Sequence, residues 1–308
     1  MSGALARALL GRTAAVFGGM VAAITALVVL LKAAPGDAVD LVTTDPELRA
    51  RLVADWGLDA PLHEAVLRAL GGQWGTSWTL RPGAQVAELV GDALVQSLPL
   101  WLGAWLLTLV VGVGWAARRR AVRKWRLPAL SAAPVFLLGW GLIVALNEGA
   151  FSAMGAGLLE RPSWFSLPDT DSWLRNALAV GVLAVGSGGL RSFIDSVRSR
   201  LDVHRRSPAV EALVARGQPV DRLLAWLLVP DLAVLAAERG ALLFGGLVVV
   251  ERVFAMPGAG GLFWEACVRR DQPVVVASGV VAALGVAGLR WLADVARVVA
   301  DPRLRGSA

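Results

Sequence analysis

The chain has 308 residues, 56% of them hydrophobic and 18% charged, with a formal net charge of +6. That is more apolar surface than a soluble domain of this size hides, so lipid is the expected solvent. The basic excess lies beside apolar segments without an aromatic platform, which argues against a nucleic-acid footprint, and the single cysteine, Cys267, excludes a disulfide framework or a site of several thiolates.

Hydrocarbon offers backbone groups no partners, so long unbroken apolar runs favour helices. The first run, residues 14–31, reads AAVFGGMVAAITALVVLL. At about 1.5 Å per residue it spans roughly 27 Å, close to a bilayer core. It is long for a secretory signal, and no small-residue cleavage site follows Lys32, so it reads as a retained first helix. The next segment, 33–93, reads as folded. Thr44 or Asp45 caps a helix with Pro46 at its first position, Leu48, Leu52 and Trp56 share one face, and Gly57 ends it. A second short helix is expected over 62–70, before turns at Gly71, Gly72, Gly75 and Arg81-Pro82-Gly83. Further crossings are expected at 94–115, 128–147, 173–190, 231–250 and 273–292, making about six transmembrane helices in an all-α membrane protein. No internal repeat or low-complexity linker interrupts them.

Lys and Arg collect in cytoplasmic loops. Arg118, Arg119, Arg120, Arg123, Lys124 and Arg126 follow the second crossing without an acid, and Arg191, Arg198, Arg200, Arg205, Arg206, Arg216 and Arg222 follow the fourth. The tail adds Arg297, Arg303 and Arg305. Both termini are therefore expected in the cytoplasm. The opposite segment carries Asp37, Asp40, Asp45, Glu47, Asp55, Asp59 and Glu64 and is expected outside. The organisation is then a cytoplasmic N-terminus and first helix (1–32), an extracytoplasmic loop domain (33–93), and a core transmembrane domain (94–308) with a cytoplasmic loop at 191–230.

Several chemistries have no support. There is no phosphate-loop motif, and Lys32 and Lys124 are the only lysines, so any ATP must be hydrolysed by a partner. His63 and His204 fall on opposite sides in this topology, share no metal, and each read as solvated loop residues. Ser187 has no His or Lys placed in a crossing to activate it, and its small neighbours suit close helix packing. No cofactor is implied.

The most informative stretch is 211–230, EALVARGQPVDRLLAWLLVP. It reads as a short amphipathic helix, a break at Gly217, and a second helix leading through Pro230 into the fifth crossing. Such a helix-break-helix suits a groove on a soluble partner, because a short rigid helix passes displacement into the attached crossing. A plain basic surface loop is the alternative. Glu238 and Arg239, within the fifth crossing, either line a pathway or pair with another helix or subunit. In 248–275, Pro257-Gly258 and Gly260-Gly261 force turns that fold the chain back before Pro273. That loop is either a gate, with Glu251, Phe254, Pro257, Gly258 and Gly260 in it, or a packed connector.

The spacing Glu211-Ala212, Gly217, Leu227, Val229-Pro230 resembles the EAA loop of ABC-importer permeases, with Leu213, Leu227 and Val229 departing from the family's residues. Other segments resemble the dipeptide, oligopeptide and nickel importer permeases, specifically the member with a large outer loop. They are Pro35-Gly36-Asp37, Gly57-Leu58-Asp59, Pro61-Leu62, Gly75-Thr76-Ser77, residues 86–89, Ser131, Pro134-Val135-Phe136, residues 248–275 and Asp301-Pro302-Arg303. In collinear order these cover nearly the whole chain. The resemblance implies a type I permease fold in a bacterial cytoplasmic membrane, with a coupling helix docking on an ATPase. It further implies a second permease subunit, two cytoplasmic ATPase subunits and an extracytoplasmic solute-binding protein. Glu238 and Arg239 lie where that family is mostly uncharged. The expected function is ATP-driven import of short peptides, nickel chelates or other small solutes. A non-transporting membrane scaffold or regulator derived from such a permease is the alternative.

Overall fold

The computed structural model describes residues 2–36, 38–118, 133–156 and 173–300. Asp37, the basic residues at 119–126, Ser131 and the tail from 301 lie outside them, as does the Ser187 side chain.

Eleven α-helices occur among the described residues, and in chain order they are α1 (Ser2–Ala33), α2 (Pro46–Trp56), α3 (Leu62–Leu70), α4 (Val86–Ala117), α5 (Val135–Gly155), α6 (Trp173–Val185), α7 (Gly189–Arg205), α8 (Pro208–Ala215), α9 (Asp221–Val253), α10 (Ala259–Val268) and α11 (Gln272–Ala300). Apolar helices stand at each of the six places expected. Four of them, in α1, α4, α9 and α11, are long and apolar enough to cross a membrane alone. The α6–α7 pair makes a fifth span only if its 49° bend is counted as one broken crossing. Helix α5 is a shorter apolar helix, and the expected start of its crossing lies outside the described residues.

The main departure from the sequence reading is at α6–α7. An expected crossing over 173–190 breaks at a 3-10 turn, Gly186–Gly188, where Gly188 takes φ 68°. What then reads as loop is the helix α7. Its buried residues Leu190, Phe193, Ile194, Val197 and Leu201 recur at helical spacing on one face, while Arg191 is exposed and Arg198 donates from the flank to Trp115 O at 3.3 Å.

By contact the described chain divides into two compact units. One comprises Met1–Thr13, Pro99–Met256 and Gly288–Ala308. Here α9 packs against α7, α5 and α6. Its core joins Trp101 and Ala104 to Leu183, Leu243, Leu247 and Phe254, and a second cluster joins Leu228 to the α7 face. Trp101 and Trp105 stack 5.6 Å apart and donate their indole N–H groups to the carbonyls of Gly240 (3.0 Å) and Ala236 (2.8 Å). In lipid such donors need a protein acceptor.

The other unit comprises Ala14–Leu98 and Pro257–Ala287. Asp45 caps α2 by accepting from Glu47 N at 3.1 Å, and Pro46 opens the helix as expected. Lys32, in the last turn of α1, donates to the carbonyls of Leu58 (2.9 Å) and Ala60 (2.8 Å). That bond pair holds the α2–α3 turn against α1. Val86, Val90, Ala266, Val274 and Val275 form one buried cluster, and Met20, Ile24, Ala69 and Val280 another.

Candidate functional site

The 208–230 segment is built from local rules. Ser207 and Pro208 open α8, with the N–H groups of Val210 and Glu211 bonded to Ser207 O at 3.0 Å each. Glu211 lies in the first turn, where a carboxylate complements the positive end of the helix dipole. At the other end Gly217 N–H donates to Val214 O (3.0 Å) and Gln218 N–H to Leu213 O (3.0 Å), the paired bonds of a left-handed helix stop. Gly217 has φ 69°, a conformation that costs a residue with a Cβ about 1–2 kcal/mol. The break expected at Gly217 is therefore a geometric requirement.

Of the α8 side chains only Val210 is buried. Glu211, Ala212, Val214 and Ala215 are all exposed, so the helix presents a face of small apolar groups with one carboxylate. The second helix does not stop at the expected start of the crossing. It runs 33 residues as α9, straight through Pro230, roughly 50 Å at 1.5 Å per residue. Near its start Leu224 and Leu228 are buried, Leu227 is half-buried, and Val229 and Trp226 are exposed.

Immediately after Pro230, Asp231 ties α9 to α7. Its carboxylate accepts from the His204 ring N–H at 2.8 Å and pairs with Arg200 at 3.6 Å. His204 is thus a half-buried partner on α7, contrary to the solvated-loop reading; the loop assignment of α7 hid it. His63 is exposed on α3. Among the described residues no group of three or more metal-binding side chains gathers.

Glu238 and Arg239 diverge. Glu238 is exposed, whereas Arg239 is buried and donates from Nη2 to Ala184 O at 2.8 Å. Ala184 lies in the last turn of α6, where carbonyls lack intrahelical donors and a cation is favoured. A Cβ on Gly189 would overlap the Arg239 guanidinium, so the small residue at the start of α7 makes room for it. The two residues named together from the sequence therefore do different things: one fastens a broken helix, the other faces outward.

Of the 248–275 residues, Glu251 and Phe254 are almost fully buried in the first unit. There α9 ends with Met256 N–H on Glu251 O (2.8 Å) and Ala255 at φ 49°, a left-handed stop without glycine. In the second unit Pro257 is exposed, Gly258 and Gly260 are buried, and Ala259 N–H donates to Ser97 Oγ at 2.7 Å. Helix α10 follows, carrying the exposed Cys267, whose thiol partial desolvation pushes up.

Asp271 is a structural anchor outside the residues that the sequence motifs single out. It is fully buried, and one carboxylate oxygen accepts from Ser77 Oγ (2.6 Å) and from the N–H groups of Trp78 (3.1 Å), Thr79 (3.0 Å) and Leu80 (2.9 Å). This fastens the 75–86 turn to the start of α11. An Asp two residues before Pro273, at the head of an apolar helix, was the available signal.

No family model matches the chain. The oligopeptide transport system permease protein AppB of Bacillus subtilis is 31% identical to it over 300 residues, covering 90% of this chain and 92% of that protein. A putative peptide permease of Brucella ovis is 30% identical over 312 residues, covering 93% and 95%. The di/tripeptide transport system permease protein DppB of Pseudomonas aeruginosa is 28% identical over 309 residues, covering 90% and 92%. End-to-end similarity of this kind joins the apolar helices and the helix-break-helix segment in one assignment. The chain belongs to the permease subunits of peptide-type ABC importers and is an all-helical, multi-pass protein of the bacterial cytoplasmic membrane.

Proposed function

We propose that this chain forms half of the pathway through which an ATP-driven importer moves short peptides. Both termini and the 191–230 segment face the cytoplasm, and 33–93 faces outward as a folded domain, following the distribution of Arg and Asp/Glu. The other half is a second permease, similar or identical. Nucleotide chemistry belongs to two cytoplasmic ATPase subunits, since the chain lacks a phosphate loop, and an outer binding protein delivers the solute. A peptide substrate is favoured over nickel chelates or other solutes by relatives named for oligopeptide and di/tripeptide transport.

The observation that carries the coupling role is α8, a short exposed helix closed by a left-handed Gly217 and joined within a few residues to the 33-residue α9. Closure of the ATPases displaces Glu211 and Ala212. The push travels along α9 through Leu227, Val229 and Pro230 and tilts the crossings between inward and outward access. Glu238, exposed midway along α9, meets the second permease or the watery pathway, because a carboxylate facing lipid is costly. The 254–260 turn and α10 act as the outer gate.

Gly217→Leu and Glu211→Lys test this. Each should abolish ATP-driven accumulation of a dipeptide while leaving the protein inserted at its normal level. Unimpaired accumulation in both would remove the coupling role and favour a non-transporting scaffold.

A further inference from the structure

The second unit carries an open cleft of about 330 Å³ at the C-terminal end of α1, within the range of small-molecule sites, about 300–1,000 Å³, with its charged residues Lys32, Asp55 and Arg68 exposed at the mouth. Its apolar lining includes Leu31 of α1, Val276 of α11 and Trp74. The Trp74 indole N–H is fixed on Ala69 O at 3.0 Å. Trp56 and Trp78, stacked 4.7 Å apart and nearly parallel, line it as well.

The polar lining carries both signs of charge. Asp55 makes no hydrogen bond or ion pair with any described residue, so its carboxylate is available. Arg68 commits one terminal nitrogen to Glu64 at 3.1 Å, while the other lies over Gly57, itself a lining residue. Lys32 spends two of its three N–H groups on the Leu58 and Ala60 carbonyls. The chemistry that matches is a compact zwitterion with an apolar branch: an ammonium for Asp55, an anion for Arg68 and Lys32, and a side chain for the tryptophan faces.

We propose that this cleft is an outer subsite for a short peptide, holding its ammonium at Asp55, its carboxylate at Arg68 and Lys32, and a side chain against Trp56 and Trp74. It rests on the peptide reading of the substrate. An ethanolamine phospholipid headgroup carries the same two charges, but it has no apolar branch between them for the aromatic walls to bury.

The test is calorimetric titration of alanylphenylalanine into the full chain in phosphatidylcholine nanodiscs. Wild-type protein should bind it, and Asp55→Asn should weaken binding at least about tenfold with an unchanged thermal midpoint. Nα-acetylation of the peptide should weaken wild-type binding by a similar factor and weaken the variant no further. Absence of wild-type binding, equal affinity in Asp55→Asn, or equal affinity for the acetylated peptide overturns the subsite. Tighter binding of glycerophosphoethanolamine than of the peptide also overturns it and assigns the cleft to lipid. Uptake of alanylphenylalanine by cells with and without the chain separates the two readings. Chain-independent uptake defeats the peptide substrate, whereas chain-dependent uptake with unaltered Asp55→Asn binding defeats the subsite alone.

Discussion

The turn at 75–86 and the helix α8 are both short segments between long helices, yet they are held in opposite ways. The turn closes on one buried carboxylate, Asp271, whose single oxygen gathers a hydroxyl and three backbone N–H groups. In α8 one side chain, Val210, is buried, and the rest of the geometry comes from backbone bonds at its two ends. A carboxylate surrounded by donors fixes position, because leaving it strands several polar groups at once. A helix fixed by its ends keeps its shape while its face stays free for a partner. The first arrangement suits a platform and the second a helix whose side chains are left exposed.

The sharpest way to break that contrast is Asp271→Ala. Four donors lose their acceptor together, at a cost on the order of 4 kcal/mol. Limited proteolysis should open the 33–93 segment and leave α8 and α9 intact; unchanged cleavage there would mean that the apolar clusters alone hold the turn. A smaller effect is expected at Asp231→Ala, which unties α9 from His204 and Arg200 on α7. The loss should be about 1–2 kcal/mol, read as faster hydrogen exchange confined to α7 and the start of α9. Equally fast exchange throughout the first unit would show α8 and α9 to be one rigid body with it. Smallest is Ala255→Gly. Ala255 holds a left-handed angle at the end of α9 that glycine adopts freely, so the change should raise stability by about 0.5–1 kcal/mol in thermal unfolding. A loss instead would locate the constraint in the packing of Phe254.

Local punctuation made much of this legible in the sequence. Pro46 and Gly57 bracket α2, and α3 runs over 62–70 as its pattern predicts, because caps and left-handed stops depend on neighbouring residues alone. The stop at Gly217 was readable for the same reason. What escaped depends on partners remote in the chain. Asp271 meets Ser77 across 194 positions, and Arg239 reaches Ala184 across 55. Helix α7 is a different miss. Its apolar spacing from Leu190 to Leu201 was present, but the run of arginines between those residues drew it into a loop.

Helix α9 meets its neighbours at several points whose order along the helix matters. Asp231 meets α7, Ala236 and Gly240 receive the two indoles, and Arg239 reaches the end of α6. Inserting or deleting one residue anywhere between 231 and 240 would turn everything beyond it by about 100°, moving each group off its partner. The register of that stretch is therefore locked. Ahead of Asp231 the contacts are apolar: Leu228 packs on the α7 face, while the divergent Leu227 and Val229 beside it are half-buried and exposed. Substitutions that keep the length of the helix at its start leave the register of the 231–240 stretch untouched.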